Sequence, residues 1–325
     1  MRAIVQDRYG DADVLRLADV PAPRLRNGQV LVRVRAASLN AADVEILRGD
    51  SIARLGGLRR PAHRIPGSDV AGVIERVGPG VTGLSAGDAV FGDLFTTGFG
   101  AFAELVAAPA KALSIKPPEL SFVDAATLPQ AAVLAWQAVQ AGRPVATGDR
   151  VCIVGAGGGA GTFAVQLAAA AGAEVTGVDR GAKEAAVRAL GATRYVAFDA
   201  PGASTEPAAD ERYDRVVDVQ VRRWPRAARR MLRPGGRYGV IGGPFPRIVA
   251  MAVAGQVVAR TSGHHLGVVA WRANDPEIIG GLLAALRDGR ARPVIDATVS
   301  LAEVPAAYRR LAAGEVIGKI VVTLD

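Results

Sequence analysis

Apolar and polar positions fall into two regimes along this chain. Near the start the pattern is short and alternating. Val30-Leu-Val-Arg-Val-Arg-Ala-Ala switches between apolar and charged positions as a half-buried strand does, and Val70-Ala-Gly-Val-Ile-Glu-Arg-Val-Gly and Ala89-Val-Phe-Gly are further strands, broken by Gly-Pro and Gly-Asp turns. Short strands with closely spaced turn signals predict a mostly-β, partly open barrel over residues 1–119. From Ser121 onward come alanine-rich helical stretches and unbroken apolar runs, the mark of parallel strands covered on both faces. Val216-Val-Asp-Val and Tyr238-Gly-Val-Ile-Gly-Gly are two such strands. Asp199 to Glu211 is a polar loop, Ile278 to Leu286 a helix, and Gly318-Lys-Ile-Val-Val-Thr-Leu a last strand.

The rest of the chain is organised around Asp149 to Arg180. Arg150 to Val154 is an apolar run ending in glycines and reads as a buried strand. Gly155-Ala156-Gly157-Gly158-Gly159-Ala160-Gly161 is a turn, and Phe163, Val165, Leu167 and the alanines to Ala171 make a helix closed by Gly172. Glu174 to Val178 is a second strand with Asp179 at its end. Strand, glycine turn, helix, strand and terminal acid form a βαβ unit of the kind that binds a dinucleotide: the glycines bring main-chain N–H groups close to a pyrophosphate at a helix start, and the acid reads a ribose hydroxyl. Ala156 takes the first slot of the glycine pattern, with Gly158 and Gly161 in the others. Gly242, in the glycine pair that ends the Tyr238 strand, joins the candidate cofactor residues.

Composition narrows the alternatives. At 325 residues, half of them hydrophobic, the chain is globular and long enough for two domains. The net charge of +8 comes almost wholly from arginine, but the arginines are scattered and the aromatics few, so no nucleic-acid partner is expected. The one cysteine, Cys152, lies inside a strand and excludes a disulfide within the chain, as suits a reducing compartment. Met1-Arg-Ala-Ile-Val-Gln-Asp-Arg lacks the apolar core of a signal peptide, and the uncharged run from Ile248 to Ala259 is too short to span a bilayer; the reading is a soluble cytoplasmic protein with no membrane partner.

A set of motifs in fixed order then carries a resemblance. Ser38-Leu-Asn-Ala-Ala-Asp, Ile65-Pro-Gly-Ser-Asp-Val-Ala-Gly-Val-Ile, Gly87-Asp-Ala-Val-Phe-Gly, Gly100-Ala-Phe-Ala-Glu and Leu128-Pro-Gln-Ala-Ala-Val-Leu-Ala-Trp precede the cofactor unit. Leu190-Gly-Ala, Leu232-Arg-Pro-Gly-Gly-Arg, Arg292-Pro-Val-Ile-Asp and Gly318-Lys-Ile-Val-Val follow it. Over nearly its full length the chain resembles the medium-chain dehydrogenase/reductase superfamily in its zinc-independent, quinone-oxidoreductase-like branch. The resemblance implies an α/β fold: a Rossmann doubly wound parallel sheet plus a GroES-like mostly-β barrel, with the active site in the cleft between them. The expected boundaries are 1–119 for the barrel, 120–264 for the Rossmann domain and 265–325 for a return to the barrel. It also implies a homodimer, joined through a sheet edge for which Arg260 to Val269 is the candidate.

Zinc-dependent relatives use cysteine and histidine ligands. Here Asn40 stands at the position resembling the first ligand and Ser68, next to Asp69, at the histidine position, so no metal is expected. Without zinc to lower an alcohol's pKa, the substrates implied are quinones or alkenes conjugated to a carbonyl. Asn40 occupies a place where the family sets a polar group near the nicotinamide; the alternative is a turn-capping asparagine. Glu45 replaces the tyrosine or lysine often found in relatives, and serves as an acid only if its surroundings raise its pKa. Asp69 completes the candidate catalytic set, or simply holds a turn, while His63, His264 and His265 are expected to be structural or exposed.

After Val217-Asp218 the chain runs Val219-Gln-Val-Arg-Arg-Trp, bulkier than the loop usual near the nicotinamide. That departure and Glu45 leave open a dinucleotide-binding regulator, structural protein or RNA binder without turnover, beside an enoyl or enone reductase of a biosynthetic pathway. For the cofactor, Asp179 favours NADH, whereas Arg180 and Lys183 suit the 2′-phosphate of NADPH. Lys183 falls where similar NADPH-using reductases place a lysine, and Phe198 where some have a phosphate-binding tyrosine. The expectation is NADPH, with NADH as the alternative, and a quinone or conjugated carbonyl as the small-molecule partner.

Overall fold

The computed structural model describes residues 1–50, 57–200, 211–221 and 223–324; Arg222 and 201–210 of the polar loop lie outside the described residues. The chain forms two compact units, Met1–Ala131 with Ala273–Pro276 and Ile295–Asp325, and Ala132–Arg272 with Glu277–Val294.

The first unit opens with β1 (Arg2–Gln6) and β2 (Leu15–Asp19), an antiparallel pair. β3 (Gln29–Ser38) follows and keeps only Arg33 and Arg35 exposed, as its alternation requires. Next come α1 (Ala41–Arg48), β4 (Asp69–Val77), β5 (Ala89–Asp93), β6 (Leu105–Pro109), β7 (Leu113–Ile115) and α2 (Phe122–Ala126).

The second unit begins with α3 (Val133–Gln140), β8 (Arg150–Val154), α4 (Gly159–Ala170), β9 (Glu174–Asp179), α5 (Glu184–Ala189) and β10 (Arg194–Ala197). It continues with β11 (Tyr213–Asp218), α6 (Pro225–Arg230), β12 (Leu232–Val240), α7 (Phe245–Ser262), β13 (His265–Val268) and α8 (Pro276–Arg287). Its six strands run in the order β10-β9-β8-β11-β12-β13, every pair parallel, which is the strand order of a Rossmann sheet. The order reverses between β8 and β11, so the carboxyl ends of those two strands mark the place where such a sheet holds its ligand. Cys152, Val154, Val178, Val216 and Val240 fill its core with Tyr213 and Tyr238.

The chain then returns to the first unit as β14 (Ile295–Val299), α9 (Val304–Ala312) and β15 (Lys319–Thr323). The barrel sheet has the order β14-β15-β3-β4-β5-β7, with β6 also paired to β3. β15 lies antiparallel to β3, with Val321 opposite Ser38.

The units divide at other residues than 119/120 and 264/265. α2 belongs with the barrel, where the Ser38 hydroxyl donates to Ala126 O at 2.8 Å. β13 stays with the parallel sheet because its backbone pairs with β12, and α8 stays because Gly281 packs on Trp136, where a Cβ would come within 2.6 Å of the indole. Of the candidate edge Arg260 to Val269, only His265–Val268 is strand; Arg260 to Ser262 end α7.

Candidate active site

In the sheet unit the glycine turn lies at the reversal point. Gly155 has φ +83°, a conformation open to glycine, and its N–H donates to Val178 O at 2.8 Å, closing β8 onto β9. A Cβ on Gly161 would lie 2.0 Å from Gly155 O, so α4 approaches the strand only because that residue is glycine. Gly158, the residue that starts α4, differs. Its φ is an ordinary −86°, and a Cβ there would meet nothing of the protein nearer than Gly155 O at 3.4 Å. The fold does not need glycine at 158, and the start of the helix is left open there. Ala156 is fully buried, while Gly159 and Ala160 form the first turn of α4.

Asp179 ends β9 almost fully buried. Its Oδ2 accepts from Gly157 N at 2.9 Å and its Oδ1 from Arg180 N at 2.8 Å, so the carboxylate is folded back on its own turn. Lys183, buried at the end of the short turn Gly181–Lys183, lies across Gly157, with its Nζ 3.9 Å from Asp179 Oδ1. The Arg180 side chain is exposed, and its carbonyl accepts from Tyr195 Oη at 2.5 Å. Phe198 packs against the sheet core, and its N–H donates to Asp179 O at 3.1 Å. On the facing strand end, Val219 and Gln220 close over the turn: a Cβ on Gly155 would lie 3.2 Å from Val219 Cβ. Gly242 belongs to the same cluster, its Cβ position 3.4 Å from Val219 O. Val221 takes φ +42°, strained backbone for a β-branched residue. Asp218 anchors this loop by accepting from Gln220 N at 3.0 Å and from Tyr238 Oη at 2.5 Å.

In the barrel unit the structure brings Asn40 and Asp69 together and adds residues that local pattern does not indicate. Lys319, 2 % exposed, donates to Asn40 Oδ1 at 2.5 Å, Leu39 O at 2.8 Å and Asp69 Oδ2 at 3.2 Å. Asp69 Oδ2 also accepts from Asn40 Nδ2 and from Ser38 Oγ, each at 2.9 Å. Asn40 begins α1, and its N–H donates to Asp43 Oδ2 at 2.7 Å. Asn40 is thus held at both ends of its amide, and Asp69 is fully buried. Asp93 faces Asp69 in the β4–β5 register, and its carboxyl is shifted upward, first by burial and then by the Asp69 charge. Burial likewise lifts Asp43 to about 7.

Glu45, one turn further along α1, remains half-buried. Burial, with a smaller contribution from Asp50, pushes its carboxyl up to about 7, so the condition for an acid role is met. His63 is kept below its ordinary range by burial and stacks at 5.3 Å on Phe99. His265 is exposed, and His264 is half-buried.

The residues at the zinc-ligand positions do not fit zinc. They are an amide and a hydroxyl, the Ser68 Oγ lying 3.4 Å from Asn40 Nδ2, and an ammonium already supplies the positive charge of the cluster. Among the described residues no group of three His, Cys, Asp or Glu is placed to hold a metal ion. The sequence signal for Lys319 is a lysine inside an apolar strand, which calls for a buried partner.

The chain thus combines a parallel sheet that carries a glycine turn at its reversal point with a second unit whose sheet is antiparallel except for β14 against β15. Residues 26–118 match the alcohol dehydrogenase GroES-like domain and residues 181–322 the zinc-binding dehydrogenase family. The chain belongs to the medium-chain dehydrogenase/reductase superfamily. It is 30 % identical to 2-methylene-furan-3-one reductase of Solanum lycopersicum, over 99 % of this chain and 79 % of that protein. To the mitochondrial NAD(P)H oxidoreductase RTN4IP1 of Danio rerio it is 30 % identical, over 100 % and 91 %. It is 35 % identical to the spectinabilin polyketide synthase system protein NorB of Streptomyces orinoci, over 97 % of this chain but only 14 % of that protein's length. Among solved structures, the quinone oxidoreductase from Coxiella burnetii superposes with a TM-score of 0.86 at 26 % identity, covering 100 % of this chain and 99 % of that one.

Proposed function

We propose that this chain is a zinc-independent, NADPH-dependent reductase of quinones or of alkenes conjugated to a carbonyl, the bound dinucleotide supplying the hydride. The observation that carries the reading is the open approach at Gly158, at the N-terminus of α4 and the reversal point of the sheet. The names of the tomato, zebrafish and Coxiella relatives support the same chemistry. Glu45 is proposed as the acid that serves the oxygen or carbon of the reduced substrate. Lys319 and Asp69 fix the residue at the start of its helix.

NADPH is preferred over NADH on this reading because Lys183, its ammonium 3.9 Å from Asp179 Oδ1, and the exposed Arg180 bring positive charge to the end of β9, where a 2′-phosphate would be read. The match to a polyketide synthase protein favours, as a second reading, an enoyl or enone reductase of a biosynthetic pathway. The protein is further proposed to be a homodimer joined at the β13 edge.

The experiment is nicotinamide oxidation by the purified chain with a panel of small quinones and enones, run with NADPH and with NADH, for the native protein and Lys183→Ala. Turnover with NADPH is expected. A charge-assisted contact is worth about 1.5–3 kcal/mol, so Lys183→Ala should weaken NADPH by roughly tenfold or more while barely moving NADH. No oxidation with any acceptor would overturn the enzymatic reading, and equal use of both cofactors by both proteins would overturn the preference.

A further inference from the structure

A cavity of about 240 Å3 lies within the sheet unit, lined among others by Ala138 and Ala141 at the end of α3 and by Arg215, Arg237, His265 and Leu266 of the parallel sheet. The register sets Arg215 of β11 beside Arg237 of β12, and Arg237 beside His265 of β13. Residues in register on neighbouring parallel strands share a face, and the strands lie roughly 4.8 Å apart, so two guanidiniums and an imidazole form one row. Like charges set directly opposite each other weaken a sheet. The row stands three positions before Asp218, roughly 10 Å back along β11 from the end that faces the glycine turn.

Nothing in the protein neutralises this row. Arg215 is 5 % exposed and gives its guanidinium to the main chain, Nη1 to Ala138 O at 2.6 Å and Ala141 O at 3.2 Å, and Nη2 to Arg143 O. The end of a helix suits a cation, but its carbonyls carry no full charge. Burial, and then the Arg237 and Arg143 charges, pull Arg215 down to about 10. Asp149 offsets this only weakly, and Arg143 already holds both of its oxygens at 2.8 Å. Arg237 is half-buried and forms no hydrogen bond or ion pair among the described residues. Its guanidinium lies over Gly142, where a Cβ would come within 2.4 Å of Cζ, so the approach depends on that glycine. An unused guanidinium offers five donors in a fork that matches an oxyanion. The rest of the lining named above is apolar. A water's share of liquid is roughly 30 Å3, so the cavity has room for more than a bare oxyanion.

We propose that this cavity binds the phosphate group of a small organic phosphate, which accepts from Arg237 in the field of Arg215 and beside His265, while its organic part lies against Leu266, Ala138 and Ala141. The site is separate from the glycine turn and does not rest on the function proposed above.

The test is calorimetric titration of the full chain, in a buffer free of phosphate, with inorganic phosphate, propyl phosphate and propanol. Both phosphates should bind saturably and propanol should not. Propyl phosphate should bind on the order of tenfold more tightly than inorganic phosphate, as burial of two methylenes implies. Arg237→Gln should weaken propyl phosphate by roughly tenfold or more, the loss of a charge-assisted contact. Arg309→Gln, which removes the same charge from the exposed pair with Asp13, should leave it unchanged. Thermal melting confirms that each variant is folded. No saturable binding of propyl phosphate to the native chain overturns the proposal without any variant, as does equal affinity for inorganic phosphate, which would mark a site for the free ion. Native affinity in folded Arg237→Gln also overturns it, and so does displacement of propyl phosphate by NADPH, which would place the anion on the glycine turn.

Discussion

Glu45 stands half-buried on α1, and burial with the nearby Asp50 charge raises its carboxyl to about 7. The sign of the consequence is fixed. A raised carboxyl keeps its proton as pH climbs past the usual carboxylate range and gives it up only near 7. If Glu45 donates a proton during turnover, the rate is full at pH 6 and falls as pH rises through about 7. Glu45→Gln keeps size and hydrogen-bonding capacity but has no acidic proton. It should lower kcat by on the order of a hundredfold and remove that limb of the pH profile, as steady-state kinetics from pH 5 to 9 would show. An unchanged profile in Glu45→Gln would assign the proton to water or another group. The other two residues of the sequence-derived catalytic set, Asn40 and Asp69, are hydrogen-bonded to each other and to Lys319. That could not be read locally. Lys319 lies 279 residues from Asn40, and only the register of β15 against β3 brings the two together.

At the scale of the element, the unit β8–turn–α4–β9 was the most legible part of the chain. Its strand, turn and second strand lie where the apolar runs and glycines put them, and α4 starts at Gly159, four residues before the first apolar helix position. The pattern did not separate the glycines by task, because the tasks depend on what lies opposite each one. Gly161 serves packing. A side chain there meets the Gly155 carbonyl, which no rotamer change relieves, and Gly161→Val should destabilise the fold by at least the roughly 1–3 kcal/mol typical of overpacking. Gly158 is the glycine that the proposed cofactor site needs. Gly158→Val should melt near the native temperature yet bind NADPH far more weakly, as nicotinamide fluorescence titration would show. Native affinity in folded Gly158→Val would remove the turn from the cofactor site. The loop after β11 is the element where sequence and structure inform each other least. Val219 and Gln220 do crowd Gly155, as their bulk implies, but the left-handed Val221 that follows has no sequence signature.

For the whole molecule, the alternation and the apolar runs gave the two kinds of sheet, and the strand order followed from the βαβ units. The division into units was less legible, because β13 and α8 are assigned by pairing and packing rather than by composition. β13 closes one end of the six-stranded sheet, and Val268 on it is partly exposed. α7, which packs over β13, leaves Val249, Val253 and Val257 exposed at four-residue spacing along one helix face. In the dimer proposed above a second copy would cover this strand edge and apolar stripe, so sedimentation at micromolar concentration should show a dimer, and Val253→Glu with Val257→Glu should shift it towards monomer. A native chain that sediments only as monomer would exclude that assembly. Among the described residues no helix is long and apolar enough to cross a membrane. The central claim, reduction of a conjugated acceptor by a dinucleotide held on the Gly155–Gly161 turn, is tested most directly by isotope transfer. NADPH carrying deuterium at both C4 positions of the nicotinamide is incubated with the chain and a small cyclic enone, and the product is analysed by mass spectrometry. The account predicts one deuterium on the β carbon of the saturated ketone and an α hydrogen that exchanges with solvent. NADPH consumed without deuterium on that carbon, or an enone recovered unchanged, would contradict it.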